Sequence, residues 1–287
     1  MITIFANSLS RFRGQILGWG VSLGLLAGFM TLFYDTIAEQ KENYTQLMAG
    51  YPKELLAFFA TSDVMQMFTP AGYLNLEFFS YMTIIIGIFV VMAGSGLLAG
   101  DEENGTLDLI LAHPVSRSVL FVGRSLAFLV ATIAILVLTW LGFVLVVPGT
   151  LMDVTAGELA LPLVSLFGIL AIFGSLALML SMLMPSRRLA AMTSGILLVA
   201  CYFINALASL NDTMDKIAEY LPFRYYQGGL AIDGMEWGQW AAMLGVSALF
   251  VLVAGWRFER RDIRVGGEGG WGIPILSTRK RSGAAGG

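Results

Sequence analysis

Charge, histidine and cysteine are all scarce in this chain. Its 287 residues include 17 Lys and Arg, 20 Asp and Glu, one histidine and one cysteine. Charged residues make up 13% and apolar residues 57%, with a mean hydropathy of +0.76. A soluble domain carries about 25% charged and roughly 45–50% apolar residues. The polar side chains are therefore too few to cover a water-soluble globule, and the same figures exclude intrinsic disorder. The lone Cys201 excludes a disulfide framework. The lone His113 excludes a bis-histidine haem or a His-rich metal site within one chain. No Gly-Lys pair occurs, so the phosphate-cradling loop GxxxxGK[ST] is missing. The chain binds no nucleotide by that route, and no cofactor of its own is implied.

What the sequence does have is long apolar runs. A bilayer crossing needs about 20 mostly apolar residues. Six stretches meet or approach this: 15–34, 78–99, 119–147, 159–184, 189–210 and 240–256. They must be helices, because lipid offers no partner to backbone N–H and C=O groups. The fold class is an all-α integral membrane protein with six transmembrane helices. Arg11 and Arg13 ahead of the first run resemble a signal peptide. That run is too long for one and lacks a small-residue cleavage site, so it reads as an uncleaved helix. The only charge inside a span is Arg124, near the start of the third, where it is expected to snorkel outward.

All Lys and Arg residues except Lys41, Lys53, Lys216 and Arg224 fall in segments 1–14, 100–118, 185–188 and 257–287 or at Arg124. The positive-inside rule then places both termini in the cytoplasm of a plasma (inner) membrane protein. The net charge of -3 is the sum of a basic inner side and an acidic outer side.

Residues 1–14 place Ile2, Phe5, Leu9 and Phe12 on one face, which predicts an amphipathic interfacial helix. Together with the spans it makes one transmembrane domain over 1–264. The Gly-rich 265–287 is expected to be a flexible tail. Segment 35–77 carries a helical pattern at Leu55, Leu56, Phe59, Ala60, Val64, Met65 and Met67. Segment 211–239 predicts a re-entrant or interfacial hairpin, with Tyr225 and Tyr226 at headgroup level.

The most informative loop is Gly100-Asp101-Glu102-Glu103-Asn104-Gly105-Thr106-Leu107-Asp108-Leu109-Ile110-Leu111-Ala112-His113-Pro114-Val115-Ser116-Arg117. Asn104-Gly105 makes a turn, Thr106 suits an N-cap, and Pro114 stops the short helix that follows. Ser116 can cap the third span. Leu107, Ile110 and Leu111 share one face. Two turns are too short to stand alone, so that face is covered by a partner protein, by lipid headgroups or by the chain's own spans.

This loop resembles the cytoplasmic loop of ABC type-2 transporter permeases, which include exporters and the permeases of nitrous-oxide-reductase maturation systems. The family pattern is roughly acidic-basic-acidic-x-Gly-Thr-Leu, several apolar residues, then Pro-Val-Ser-Arg. The departures are Glu102, where a basic residue is usual, and Asp101 in place of the common Glu. Leu221-Pro222-Phe223 before the sixth span also fits. The resemblance implies that Thr106–His113 is a coupling helix, with Thr106, Leu107, Leu109, Ile110 and Leu111 as its body. Asp101, Glu103, Gly105, Pro114 and Arg117 would flank it at the interface with a separate ATPase. Phe5, Leu9 and Phe12 would lie on a connecting helix against that subunit. It further implies two ATPase subunits carrying Mg-ATP, a second permease copy or paralogue, and export of a substrate. A non-transporting membrane anchor or assembly factor is the alternative.

Other features admit two readings each. Gly20, Gly24 and Gly28, like Ala191 and Gly195, are spaced for close helix approach, either between subunits or within one. Phe79, Met82, Phe89, Tyr202 and Asn205 would line a pathway or simply pack. Ser95 within Ala93-Gly94-Ser95-Gly96 resembles a serine-protease nucleophile, but the only histidine, His113, falls in the cytoplasmic segment before Pro114, so a positioned base is lacking. Arg257, Arg260, Arg261 and Arg264 read as an anchor on anionic lipid, not as a nucleic-acid site.

Overall fold

The computed structural model describes residues 1–39, 52, 64–107, 110, 112 and 115–260. Among them there is no strand. Six helices are long and apolar enough to cross a membrane, and they coincide with the six apolar runs. We label the helices α1 (Ile2–Glu39), α2 (Pro70–Gly96), α3 (Ala99–Glu103), α4 (Arg117–Val146), α5 (Ala156–Leu183), α6 (Arg187–Leu207), α7 (Asp212–Ala218) and α8 (Trp237–Arg260). The spans are α1, α2, α4, α5, α6 and α8. The end of the bundle that carries Met1 is called the near end below.

Helix α5 is apolar on every side and sits in the middle, packed against α2, α6 and α8. A helix without a polar face needs burial all round. Its start is a capping box: Thr155 Oγ1 accepts the Glu158 N–H, and the Glu158 carboxylate accepts the Thr155 N–H. Ser and Thr within the spans largely satisfy themselves by donating to a carbonyl one turn back. Thr31 donates to Ala27, Thr139 to Ile135 and Ser181 to Leu178.

Helices α1 and α4 pack along most of their length, and glycine makes this possible. A Cβ on Gly142 would lie 2.0 Å from the Gly24 carbonyl oxygen, and one on Gly24 would lie 2.8 Å from that of Leu138. The Gly20-Gly24-Gly28 face is therefore an intramolecular seam. At the far end, the Tyr73 hydroxyl donates to the Met30 carbonyl (2.8 Å), and the Phe78, Phe79 and Phe143 rings cluster with centroids 5.0–5.9 Å apart.

Several local expectations need adjusting. No break separates an interfacial helix 1–14 from the first span. α1 runs through 38 residues, about 57 Å at 1.5 Å per residue, so it extends beyond the roughly 30 Å of hydrocarbon. Its first turns lean on α4: Ile4 meets Gly123, and Phe12 meets Phe128. Ile2 is exposed. Arg124 does not snorkel. It is buried at 5% exposure, because an acidic partner, Asp101, waits on α3. Residues 53–63 of the outer helical pattern and the 265–287 tail lie outside the described residues. Val64–Phe68 forms a 3-10 turn.

Segment 211–239 folds as α7 and two 3-10 turns, Pro222–Tyr225 and Gly228–Asp233. It docks on a π-helical turn of α2, Asn75–Phe79. Asn75 Oδ1 accepts the Gly229 N–H at 3.0 Å, and the Tyr226 hydroxyl donates to the Phe79 carbonyl at 2.9 Å. Tyr226 is thus half-buried and tied to α2 by its hydroxyl. Burial, then the neighbouring Tyr202, pushes its hydroxyl well above the ordinary tyrosine pKa.

Candidate functional site

The near end is organised by the loop between α2 and α4. The short α3 ends on Gly105, whose φ of +66° is the left-handed conformation that favours glycine. Two reverse hydrogen bonds close it: Gly105 N–H to the Glu102 carbonyl (3.1 Å) and Thr106 N–H to the Asp101 carbonyl (2.9 Å). That pair is a Schellman motif. Thr106 also donates its hydroxyl to the Asp101 carbonyl at 3.2 Å. The Asn104-Gly105 turn is where the sequence placed it.

The chemistry of the loop lies in three side chains. Asp101 bonds Arg11 of α1 at 3.1 Å and also Arg124 of α4, whose other guanidinium nitrogen reaches the Leu97 carbonyl at 2.8 Å. Burial works to raise the Asp101 pKa, but the Arg124 and Arg11 charges and hydrogen bonds outweigh it and hold the carboxyl below its ordinary value. Glu103 Oε1 accepts the backbone N–H of Arg187 at 2.8 Å, satisfying one of the open donors at the start of α6. Arg117 donates to the Phe258 and Glu259 carbonyls at 3.5 and 3.4 Å, at the end of α8. A cation there also complements the helix dipole. Ser116 caps α4 by accepting the Val119 N–H, and Ser118 donates to the Glu259 carboxylate at 2.5 Å.

Two apolar residues of the loop turn inward. Leu107 is 1% exposed, in a cluster with Leu97, Leu98, Leu120, Phe121 and Phe258, and Ile110 packs against the same cluster. Of the three possible covers, the chain's own spans take these two residues. Leu109, Leu111, His113 and Pro114 lie outside the described residues. Exposed on the rim are Glu103, Asn104, Thr106 and Ala112.

A profile described as ABC-2 family transporter protein matches residues 2–263. The chain belongs to the ABC-2 transporter family. No curated protein matches it. Within this family the chain is a membrane transport component, and its six apolar helices make it multi-pass.

The remaining sequence-derived residues are scattered. Phe5 and Leu9 are half-buried along the first turns of α1, and Phe12 packs into the core. Ala191 is half-buried, whereas a Cβ on Gly195 would meet nothing within 4 Å. Phe79 and Met82 are fully buried, and Phe89 is 4% exposed. Tyr202 packs edge-on against Phe203 and Phe223, and Asn205 is half-buried. Phe79, Met82 and Phe89 belong to one buried cluster, against which Tyr202 packs.

Sequence reasoning passed over Arg187, Gly142, Asn75 and the partners of Arg124. A charge within an apolar span was a visible signal that an opposite charge lay nearby. Nothing local marked Gly142 as the partner of Gly24.

Proposed function

We propose that this ABC-2 family chain is the permease subunit of an ABC exporter. A separate ATPase subunit would bind and hydrolyse Mg-ATP, since this chain has no nucleotide-binding loop. The observation that carries the reading is the reach of the loop after α2. Asp101 ties it to α1 and α4, Glu103 to α6, and Arg117 to α8. A push on one small loop is thereby delivered to four spans at once. Packed elements of this kind shift between discrete arrangements instead of bending smoothly.

In this proposal the segment Thr106–His113 is the coupling helix, and the exposed Asn104-Gly105-Thr106 rim is what the ATPase touches first. Leu107 and Ile110 act as the root that fixes the loop to its own spans. The beginning of α1, with Phe5, Leu9 and Phe12, is the connecting helix. The near end and both termini are cytoplasmic, and the chain sits in the plasma (inner) membrane; the basic bias of that end supports this orientation. Two ATPase subunits and a second permease, identical or paralogous, complete the transporter. The open face at Gly195 offers one place where the second permease could approach.

The test is purification of the tagged chain from its own membranes in mild detergent, followed by identification of what accompanies it. An ABC ATPase in near-equal amount is expected, with the ATPase activity of the pair changed by Thr106→Arg. A complex without any ATPase would overturn the reading and favour a non-transporting anchor.

A further inference from the structure

Beside Asp101 the near end holds a cavity of about 270 Å³ between α1, α2, α4 and the start of α6. Its charged lining is Arg11, Arg124, Arg187 and Asp101, joined by the neutral Ser8 and Gln15, and its apolar part is formed by residues including Trp19 and Phe89. Three guanidinium groups against one carboxylate leave an excess of two positive charges. Asp101 occupies Arg11 and Arg124 in part. Among the described residues, no acceptor engages the Arg187 guanidinium.

Arg187 is positioned by the absence of side chains on the end of α2 and on α3. A Cβ on Gly96 would lie 2.8 Å from its Cζ, and one on Gly100 would lie 3.6 Å from a terminal nitrogen. The guanidinium thus lies across the end of α2 and lines the cavity. Its neighbour Arg188 is exposed and has the ordinary place of a charge at a span end.

The cavity is amphipathic in the direction a lipid is. The arginines stand where α2 ends and α4 and α6 begin, which is headgroup depth for these spans. Ile88 and Met92 line the same cavity, two turns and one turn before the end of α2. They are 51% and 55% exposed, on the outer surface of a membrane-spanning helix. Guanidinium groups bind phosphate oxygens by paired, charge-assisted hydrogen bonds. Basic pockets between spans recognise anionic headgroups on the same basis.

We propose that this cavity binds the phosphate headgroup of one anionic phospholipid, with an acyl chain running over Ile88 and Met92 beside Trp19. The phosphate sits against Arg187 and Arg11 and joins the start of α6 to α1. The lipid is then a structural part of the near end, beside the loop that Asp101 anchors. The site stands independently of the exporter reading, because its ligand is a lipid and its test needs no ATPase.

The experiment is native mass spectrometry of the purified full chain, after exchange into detergent with phosphatidylglycerol, phosphatidylcholine or inorganic phosphate. One phosphatidylglycerol per chain should persist at activation energies that strip phosphatidylcholine. Arg187→Gln should reduce the lipid-bound fraction at least fivefold, and Arg187→Lys should restore part of it. Gly96→Ala displaces only the flexible guanidinium and should mimic Arg187→Gln while the fold is kept, as circular dichroism would verify. Equal retention of both lipids would overturn the proposal, as would unchanged retention in Arg187→Gln and Gly96→Ala. Binding of inorganic phosphate that displaces the lipid completely at millimolar concentration would make this a soluble-anion site and also overturn it.

Discussion

The Glu103 carboxylate accepts the backbone N–H of Arg187, 84 residues further along the chain, at 2.8 Å. Through this bond the turn after α2 closes the open start of α6. Capping groups of this kind contribute about 1 kcal/mol. Glu103→Ala should lower the melting temperature by a few degrees and raise hydrogen exchange in the first turn of α6. Exchange elsewhere in α6 should stay unchanged.

Asp101 makes near-end stability depend on pH. Its folded pKa is depressed, so its contribution is fully present above the ordinary aspartate value of about 3.9. That contribution disappears as the pH falls through the folded pKa. The melting temperature of the wild type should therefore fall more steeply below about pH 4 than that of Asp101→Asn. At pH 7 the variant should be the less stable of the two. Parallel curves would show that the Arg11 and Arg124 pairings carry no stability.

The contact between α1 and α4 has no room for a methyl group at Gly142. Gly142→Ala must push backbone apart, and overpacking of this kind costs about 1–3 kcal/mol. Gly195→Ala enters open space and should be silent. Thermal unfolding in detergent distinguishes the two. Equal effects would contradict the intramolecular seam.

Asn75 holds the loop before α8 through a buried bond to the Gly229 N–H. Asn75→Leu leaves that donor without its partner, and an unsatisfied buried donor costs about 1–3 kcal/mol. Proteolysis between Ala218 and Trp237 should quicken in the variant. Unchanged cleavage would mean that the Tyr226 bond alone secures the segment.

Buried and exposed positions of the near-end loop should behave differently. Leu107→Asp puts a charge into the cluster around Phe121 and should destabilise the chain itself. Thr106→Arg sits on the rim and should leave the melting temperature unchanged while weakening association with an ATPase subunit. Loss of ATPase association in Leu107→Asp at an unchanged melting temperature would place the apolar face at the partner interface.

Span number, helical class and the informative loop were all legible in the linear chain. Lipid imposes that legibility: a crossing segment must be long, apolar and internally hydrogen-bonded, and each of those demands is local. The Gly105 turn and the Ser116 cap were readable for the same reason, since their partners lie within a few residues. What the tertiary structure alone decided is pairing across distance. Arg124 turns inward because Asp101, on the short α3, stands beside it. The face of Gly20, Gly24 and Gly28 packs within the chain because Gly142 also lacks a side chain. Leu107 is covered by its own spans because α4 and α8 bring Phe121 and Phe258 around it. The scarce charges that first marked the chain as a membrane protein thus serve, at the near end, to bind its helices to one another.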